Sequence, residues 1–403
     1  MQRIFKVFIM TKNTVLFLLF IVSFVTSCLS GEIQTDSLPF IDVRKVYPEK
    51  EISLTDFADI TYVHLKSDND DYLYKGRIVY ATNNTFVVYD NSSFSILFFS
   101  KEGIPISRFN RCGQGPEEYF GATRILYDEE ADDVFVCNES VNYIQVYSSK
   151  GAYKRKIHIP QYVDLFSMVF FDNQSFLMYT EKFHDTAGRT KNSKATPKIT
   201  TYYHISKTTG EVLDSINLSI NEISLHILNP ITKGIGYLNY RRLEISVDGY
   251  FLCNPETDTV YLYTKDKRLT PVFHKIPSVR TLDPKVVITN MIDTKKYQFF
   301  DIQKLHFDRR REEVLKYYIR DKETNEIFNQ KIILPDYKNK EFIITTGSFR
   351  SVYGDKNGYL FELDLINLKE ADKENRLGGK LKELVANLNE MEDNNVFMLI
   401  LFK

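Results

Sequence analysis

Residues 86–103 read FVVYDNSSFSILFFSKEG, and residues 134–151 read VFVCNESVNYIQVYSSKG. A shift of 48 positions, which carries 86 onto 134, lays one on the other without a gap. Val88 falls on Val136, Asp90 on Asn138, Ser92 on Ser140, Ile96 on Ile144, Ser100 on Ser148 and Gly103 on Gly151. Each copy reads as a short strand, a polar turn, a second strand, a Lys/Ser/Gly turn and a third strand, at 104–109 and 152–159. That is a β-meander, and an internal period of this size limits the fold to a repeat architecture.

Looser copies follow at 202–218, 251–267, 317–334 and 349–365, making about six units over 57–366. One small meander cannot bury enough apolar surface to stand alone. Meanders packed face to face around an axis bury both faces and leave only short edges. The expected fold class is therefore all-β, a six-bladed β-propeller, against a β-sandwich as the competing arrangement. The strand-like run at 60–65 is expected to complete the last blade.

Two stretches depart from the pattern. Residues 182–200 are polar and rich in Lys and Thr, which predicts a long loop inserted in the third blade. Leu377, Leu381, Leu384 and Leu388 recur at helical spacing, predicting one amphipathic helix within 370–395 that packs on the propeller. The apolar run 396–402 after it is too short to span a bilayer and predicts a buried or edge-covering strand.

The N-terminus reads as an address. Residues 15–25 are apolar except for Ser23, with Arg3, Lys6 and Lys12 upstream. Such a short apolar core behind a basic region is the layout of a secretory signal, with translation starting at Met1 or Met10. Val25-Thr26-Ser27-Cys28 resembles a bacterial lipobox, in which Cys28 is acylated and becomes the first mature residue. The domain expectation is a lipoprotein signal at 1–28, a leader at 29–56, the propeller at 57–369 and a C-terminal helix and strand at 370–403. Acyl chains make the membrane the first expected partner.

Chemistry is harder to read. Lys+Arg number 52 against 53 Asp+Glu, a net charge of −1, which argues against a nucleic-acid partner. Of 7 His, none falls in H-x-x-x-H or H-E-x-x-H, and no G-x-S-x-G occurs. Beyond Cys28 stand Cys112, Cys137 and Cys253, with no C-x-x-C, so no metal or redox motif is expected. The run 68–71 is acidic but lacks EF-hand spacing and reads as a solvated turn.

One run is specific. Cys112 is followed by Gly113, Gln114, Gly115, Pro116, Glu117, Glu118 and Tyr119. This G-x-G-P-x-E-Y run resembles that of the six-bladed, NHL-like β-propeller lipoproteins of Bacteroidetes. Residues 60–65, 258–261 and 387–403 are similar to that family's opening strand, its D-T-I-Y strand and its tail, although Asn395 stands where the family often has Pro. The resemblance implies an exported protein lipid-anchored in the envelope, with the outer membrane as the expected site. It carries no catalytic residues. Read from the residues alone, 113–119 is a structural connection: glycines for positive φ and close approach, Pro116 for stiffness, Tyr119 for packing between blades. The expected function is a non-catalytic binding or scaffold module for glycan, peptide or a protein partner. The alternative is a calcium-dependent lactonase-like or esterase-like hydrolase with its site in the central channel. No cofactor is expected from the sequence, and nothing in it supports calcium.

Overall fold

A computed structural model describes residues 38–67, 70–138, 143–160, 163–180, 199–219, 226–228, 235–237, 243–306, 315–345, 350–352, 358–390 and 392–403. The apolar run 15–25, Cys28 and nearly all of the polar stretch 182–200 lie outside the described residues.

The chain enters as a strap. Strands β1 (Phe40–Asp42) and β2 (Glu49–Ser53) lead through a single helical turn, α1 (Leu54–Phe57), into β3 (Ala58–His64). Five meanders of four consecutive strands follow. The first holds β4 (Gly76–Ala81), β5 (Thr85–Asp90), β6 (Ile96–Ser100) and β7 (Pro105–Phe109). The second holds β8 (Arg124–Asp128), β9 (Asp133–Cys137), β10 (Tyr143–Tyr147) and β11 (Tyr153–His158). The third holds β12 (Val163–Phe170), β13 (Ser175–Thr180), β14 (Ile199–Ser206) and β15 (Val212–Ser219), and a ribbon of β16 (His226–Leu228) and β17 (Ile235–Tyr237) comes after it. The fourth holds β18 (Leu243–Ser246), β19 (Gly249–Leu252), β20 (Thr259–Thr264) and β21 (Leu269–Ile276). The fifth holds β22 (Val286–Asp293), β23 (Tyr297–Lys304), β24 (Leu315–Asp321) and β25 (Ile327–Leu334), with β26 (Tyr337–Phe342) paired on its outer edge.

A last sheet is composite. Strands β27 (Arg350–Val352) and β28 (Gly358–Leu363) are joined by β29 (Val396–Phe402), and β29 pairs with β3 from the other end of the chain. The register sets Val396 against His64 and Phe402 against Ala58. The first strands neighbour one another in turn, β27 beside β4, β4 beside β8, β8 beside β12, β12 beside β18 and β18 beside β22. The fold is an all-β propeller, and the run 60–65 closes it as the sequence predicts.

Side-chain alternation explains why the strands read as continuous apolar runs. Phe86 and Val88 of β5 enter the core shared with the closing sheet, while Val87 and Tyr89 enter the core shared with the second sheet. On β29, Val396, Met398 and Ile400 face the fifth sheet, and Phe397 and Leu399 face the first. A strand buried on both faces loses the polar half of its alternation. Further cores join the third sheet to the fourth and the fourth to the fifth, so that the apolar seams run from sheet to sheet around the body.

Three sequence expectations need correction. Residues 40–53 are not a free leader: β1 pairs parallel with β21, and β2 pairs parallel with β25. These short strands carry too few apolar residues to read as strands, and the neighbouring edges supply their hydrogen bonds. The predicted single helix is two, α2 (Leu365–Lys373) and α3 (Gly379–Ala386). Asn375, at φ +56°, ends α2: Asn375 N–H donates to Asp372 O and Arg376 N–H to Ala371 O, a Schellman closure. Leu381 and Val385 of α3 are fully buried, but of the four spaced leucines only Leu381 and Leu384 lie in a helix; Leu377 precedes α3 and Leu388 follows it. The C-terminal run is the buried strand expected, but it does not merely pack on the propeller: β29 is an inner member of the closing sheet, flanked by β28 and β3.

Candidate functional site

In each meander the turns joining the first strand to the second and the third to the fourth lie at one end. The other connections leave from the opposite end. The first set is short: 82–84, 101–104, 129–132, 148–152, 171–174, 207–211, 247–248, 265–268, 294–296 and 322–326. The second set includes 65–75, 110–123, the connection bearing the β16–β17 ribbon, and 364–395 with both helices.

The connection 110–123 contains the specific run. Its backbone folds into a tight loop, with Gly113 N–H donating to Tyr119 O at 3.0 Å and Tyr119 N–H to Arg111 O at 2.9 Å. Glu118 turns inward, and its Oε2 accepts from Gly115 N–H at 2.8 Å. A Cβ on Gly113 would lie 2.0 Å from that same oxygen, so the glycine permits the inward turn of Glu118; the positive φ expected at Gly113 and Gly115 is not found, and close approach is their role. The loop staples two sheets. Tyr119 is buried, and its hydroxyl donates to Phe94 O in the β5–β6 turn at 2.6 Å. From the second sheet, Tyr147 OH donates to Glu117 O at 2.9 Å and Gln145 Nε2 to Pro116 O at 3.3 Å. Burial holds the Tyr119 phenol well above its ordinary pKa, so it remains a donor.

Gln114 and Glu117 are the two members of the run whose side chains make no hydrogen bond among the described residues, and both are exposed. Two neighbours were not singled out by the sequence. Phe94 is 46% exposed and Phe120 is 68% exposed. Asn110 Nδ2 donates to Ser93 O, and Asn138 Nδ2 donates to Phe120 O, so the β5–β6 turn, the loop and the second sheet form one cluster. A turn reading D-N-S-S-F-S looks merely polar; only the placement of the ring in solvent marks it.

Other chemistry-bearing residues are spent on structure. His204 is buried, with Nε2 2.9 Å from Tyr263 OH and its ring edge-on to Phe171. His64 Nε2 lies 3.4 Å from Asp393 Oδ1 at the closing seam. Cys137 and Cys253 are buried, and burial pushes both thiols up, which makes them poor nucleophiles. Among the described residues no three His, Cys, Asp or Glu side chains converge as a metal site, and no helix is long and apolar enough to cross a membrane.

The family described as a domain of unknown function, DUF4934, matches residues 38–400, which is nearly the whole chain. The chain belongs to this family. No curated protein matches it in sequence. Among solved structures it is similar to a Bacteroides fragilis protein described as exported, at 15% identity and a TM-score of 0.58, over 91% of this chain and 100% of that one. A member of the DUF4221 family from Bacteroides vulgatus is similar at 11% identity and a TM-score of 0.41, over 86% of this chain and 97% of that one. A virginiamycin B lyase from Staphylococcus aureus is similar at 12% identity and a TM-score of 0.34, over 75% and 82%. The first likeness shows a shared fold and nothing more. The other two are too distant to carry an argument.

Proposed function

We propose that this DUF4934 chain is an exported lipoprotein, tethered through Cys28 to the outer membrane, whose propeller is a non-catalytic binding module. The observation that carries the reading is the inequality of the two ends of the sheets. One end is closed by turns of two to five residues, while the other bears a stapling loop, a ribbon and two helices. Long ordered connections on a rigid scaffold are where recognition concentrates. We take the long-connection end as the binding face. We also count six blades, giving the composite closing sheet the standing of a blade beside the five meanders; the succession of neighbouring first strands supports that count.

Two experiments test this. Replacing Cys28 with Ala is expected to move the protein from the membrane to the soluble fraction; unchanged fractionation would end the anchoring claim. For the binding face, a photo-reactive residue is placed at Gln114 on the long-connection end or at Lys150 on the short-turn end. Irradiation of living cells is expected to give a discrete adduct from position 114 alone. Equal adducts from both ends, or none, would refute the assignment. Calcium is expected to leave Tm unchanged, whereas a rise with added calcium would favour a hydrolase in the channel.

A further inference from the structure

Phe94 combines two unfavourable features. Its φ is +60°, a left-handed conformation that is unfavourable for a bulky residue. Its ring is also 46% exposed, so the strain is not repaid by burial. The gapless repeat puts Asn142 at the equivalent position of the next copy, a residue type that tolerates this conformation. The turn itself does not need Phe. Asp90 fixes it, its Oδ1 accepting from Ser92 N–H at 3.0 Å and its Oδ2 from Ser93 Oγ at 2.6 Å. Strain at an exposed side chain that folding does not require points toward recognition.

The surroundings indicate what is recognised. Phe120 stands on the adjoining loop, joined to the Phe94 turn through Tyr119. Between these two aromatic residues in the chain lie Glu117 and Gln114, whose carboxylate and amide have no hydrogen-bond partner among the described residues. Arg111 keeps its charge but is held against the next sheet, its Nε donating to Gly151 O at 2.9 Å. Aromatic faces and an unpaired carboxylate share one preference, for a cation. An anionic lipid surface would meet repulsion from Glu117 and Glu118.

We infer that Phe94, Phe120, Glu117 and Gln114 form a docking subsite for a basic segment of a partner polypeptide. A Lys or Arg side chain lies over an aromatic face with its charge toward the Glu117 carboxylate, and Gln114 holds the neighbouring backbone. This inference rests on the binding-face assignment and names the partner's chemistry.

The test uses the full chain and a fluorescent peptide alternating Lys and Gly, read by anisotropy. Binding is expected, and it should weaken as salt rises from about 0.05 to about 0.5 M. Acetylating the lysines should abolish it. Phe94→Gly should weaken binding about three- to five-fold, and combining it with Glu117→Gln about ten-fold. The Phe94→Gly protein should melt no lower than the native one, because strain is released, which separates lost binding from lost folding. Undetectable binding of the lysine peptide, equal binding of the acetylated peptide, or preference for a neutral oligosaccharide or for phosphatidylglycerol vesicles would each overturn the inference. If the lysine peptide fails while the adduct at position 114 persists, the face assignment stands and only the basic partner falls.

Discussion

The two ends of this propeller follow different rules. At the short-turn end the same device recurs. Ser100, Ser148 and Ser206 each donate N–H across the turn, to Ile104 O, Ala152 O and Glu211 O. Gly103, Gly151 and Gly210 follow at φ near +80°. Each glycine presses on the outer strand of the preceding sheet: a Cβ would lie 2.0 Å from His64 O, 2.5 Å from Phe109 Cβ and 1.9 Å from His158 O. Lys267 and Asn325 occupy the same left-handed position in the fourth and fifth sheets. At the long-connection end the described links from sheet to sheet differ from one another: 65–75 carries a short 3-10 turn, 110–123 is a stapling loop, and 364–395 carries two helices. Repetition belongs to assembly, where each sheet must meet its neighbour in the same way. Variation is left to the end that assembly does not constrain.

The sharpest way to break this contrast is Gly103→Ala. Left-handed strain and a collision with backbone that cannot step aside are expected to cost on the order of 4 kcal/mol, measured by urea unfolding. A loss below about 1 kcal/mol would mean that the repeated turns do not set the sheet-to-sheet contact.

One long connection should behave like the short-turn end. Asn394, 4% exposed, donates through Nδ2 to Leu65 O at 2.8 Å and Tyr72 O at 3.0 Å, and its Oδ1 accepts from Tyr74 N–H at 3.2 Å. Asn394→Ala removes the partner of one buried and two partly buried backbone groups and is expected to cost about 3 kcal/mol. A near-neutral result would show that water serves these groups equally well and that the clasp is dispensable.

Acid probes the seams common to both ends. Burial lowers the pKa of His204, and it lowers that of His64 despite the opposing pull of Asp393. The folded state therefore favours neutral imidazole. Its contribution is complete above the ordinary value of about 6.5 and is lost as pH falls below that toward the depressed folded value. Tm is expected to fall between about pH 7 and 5, and His204→Gln should flatten that slope. A Tm that rises on acidification would contradict the sign.

The smallest effect is expected at Lys267→Gly. Removing the left-handed penalty while adding unfolded-state entropy should leave a gain of about 0.5 kcal/mol in urea unfolding. A clear loss would mean that the fourth turn depends on its side chain.

Much of this end-to-end contrast could be read from the residues. The gapless repeat located the turns because Gly and Ser are fixed by backbone geometry, and that geometry is local. The closing strand at 60–65 was legible for another reason: it is a strand-like run outside the meanders, and a ring of meanders needs a strand to close it. What escaped was set by distant neighbours. The strap strands β1 and β2 are strands only because β21 and β25 offer them an edge. The split between α2 and α3 falls at Asn375 and Gly378-Gly379, breakers that the leucine spacing masked. At the candidate site the run 113–119 was visible as a motif, yet Phe94 and Phe120 were not, since exposure depends on which loop folds beside which.

The composite sheet has a consequence for biosynthesis. Strand β3 precedes all five meanders in the chain, and its partner β29 follows them. The meanders can form in order as the chain emerges, but the ring stays unlatched until β29 has followed. Because closure over a long span costs only logarithmically more than over a short one, the late latch is affordable in entropy. It also makes the molecule intolerant of premature stops: losing 396–403 would remove one strand's length of chain and leave β3, made far earlier, with no edge to join.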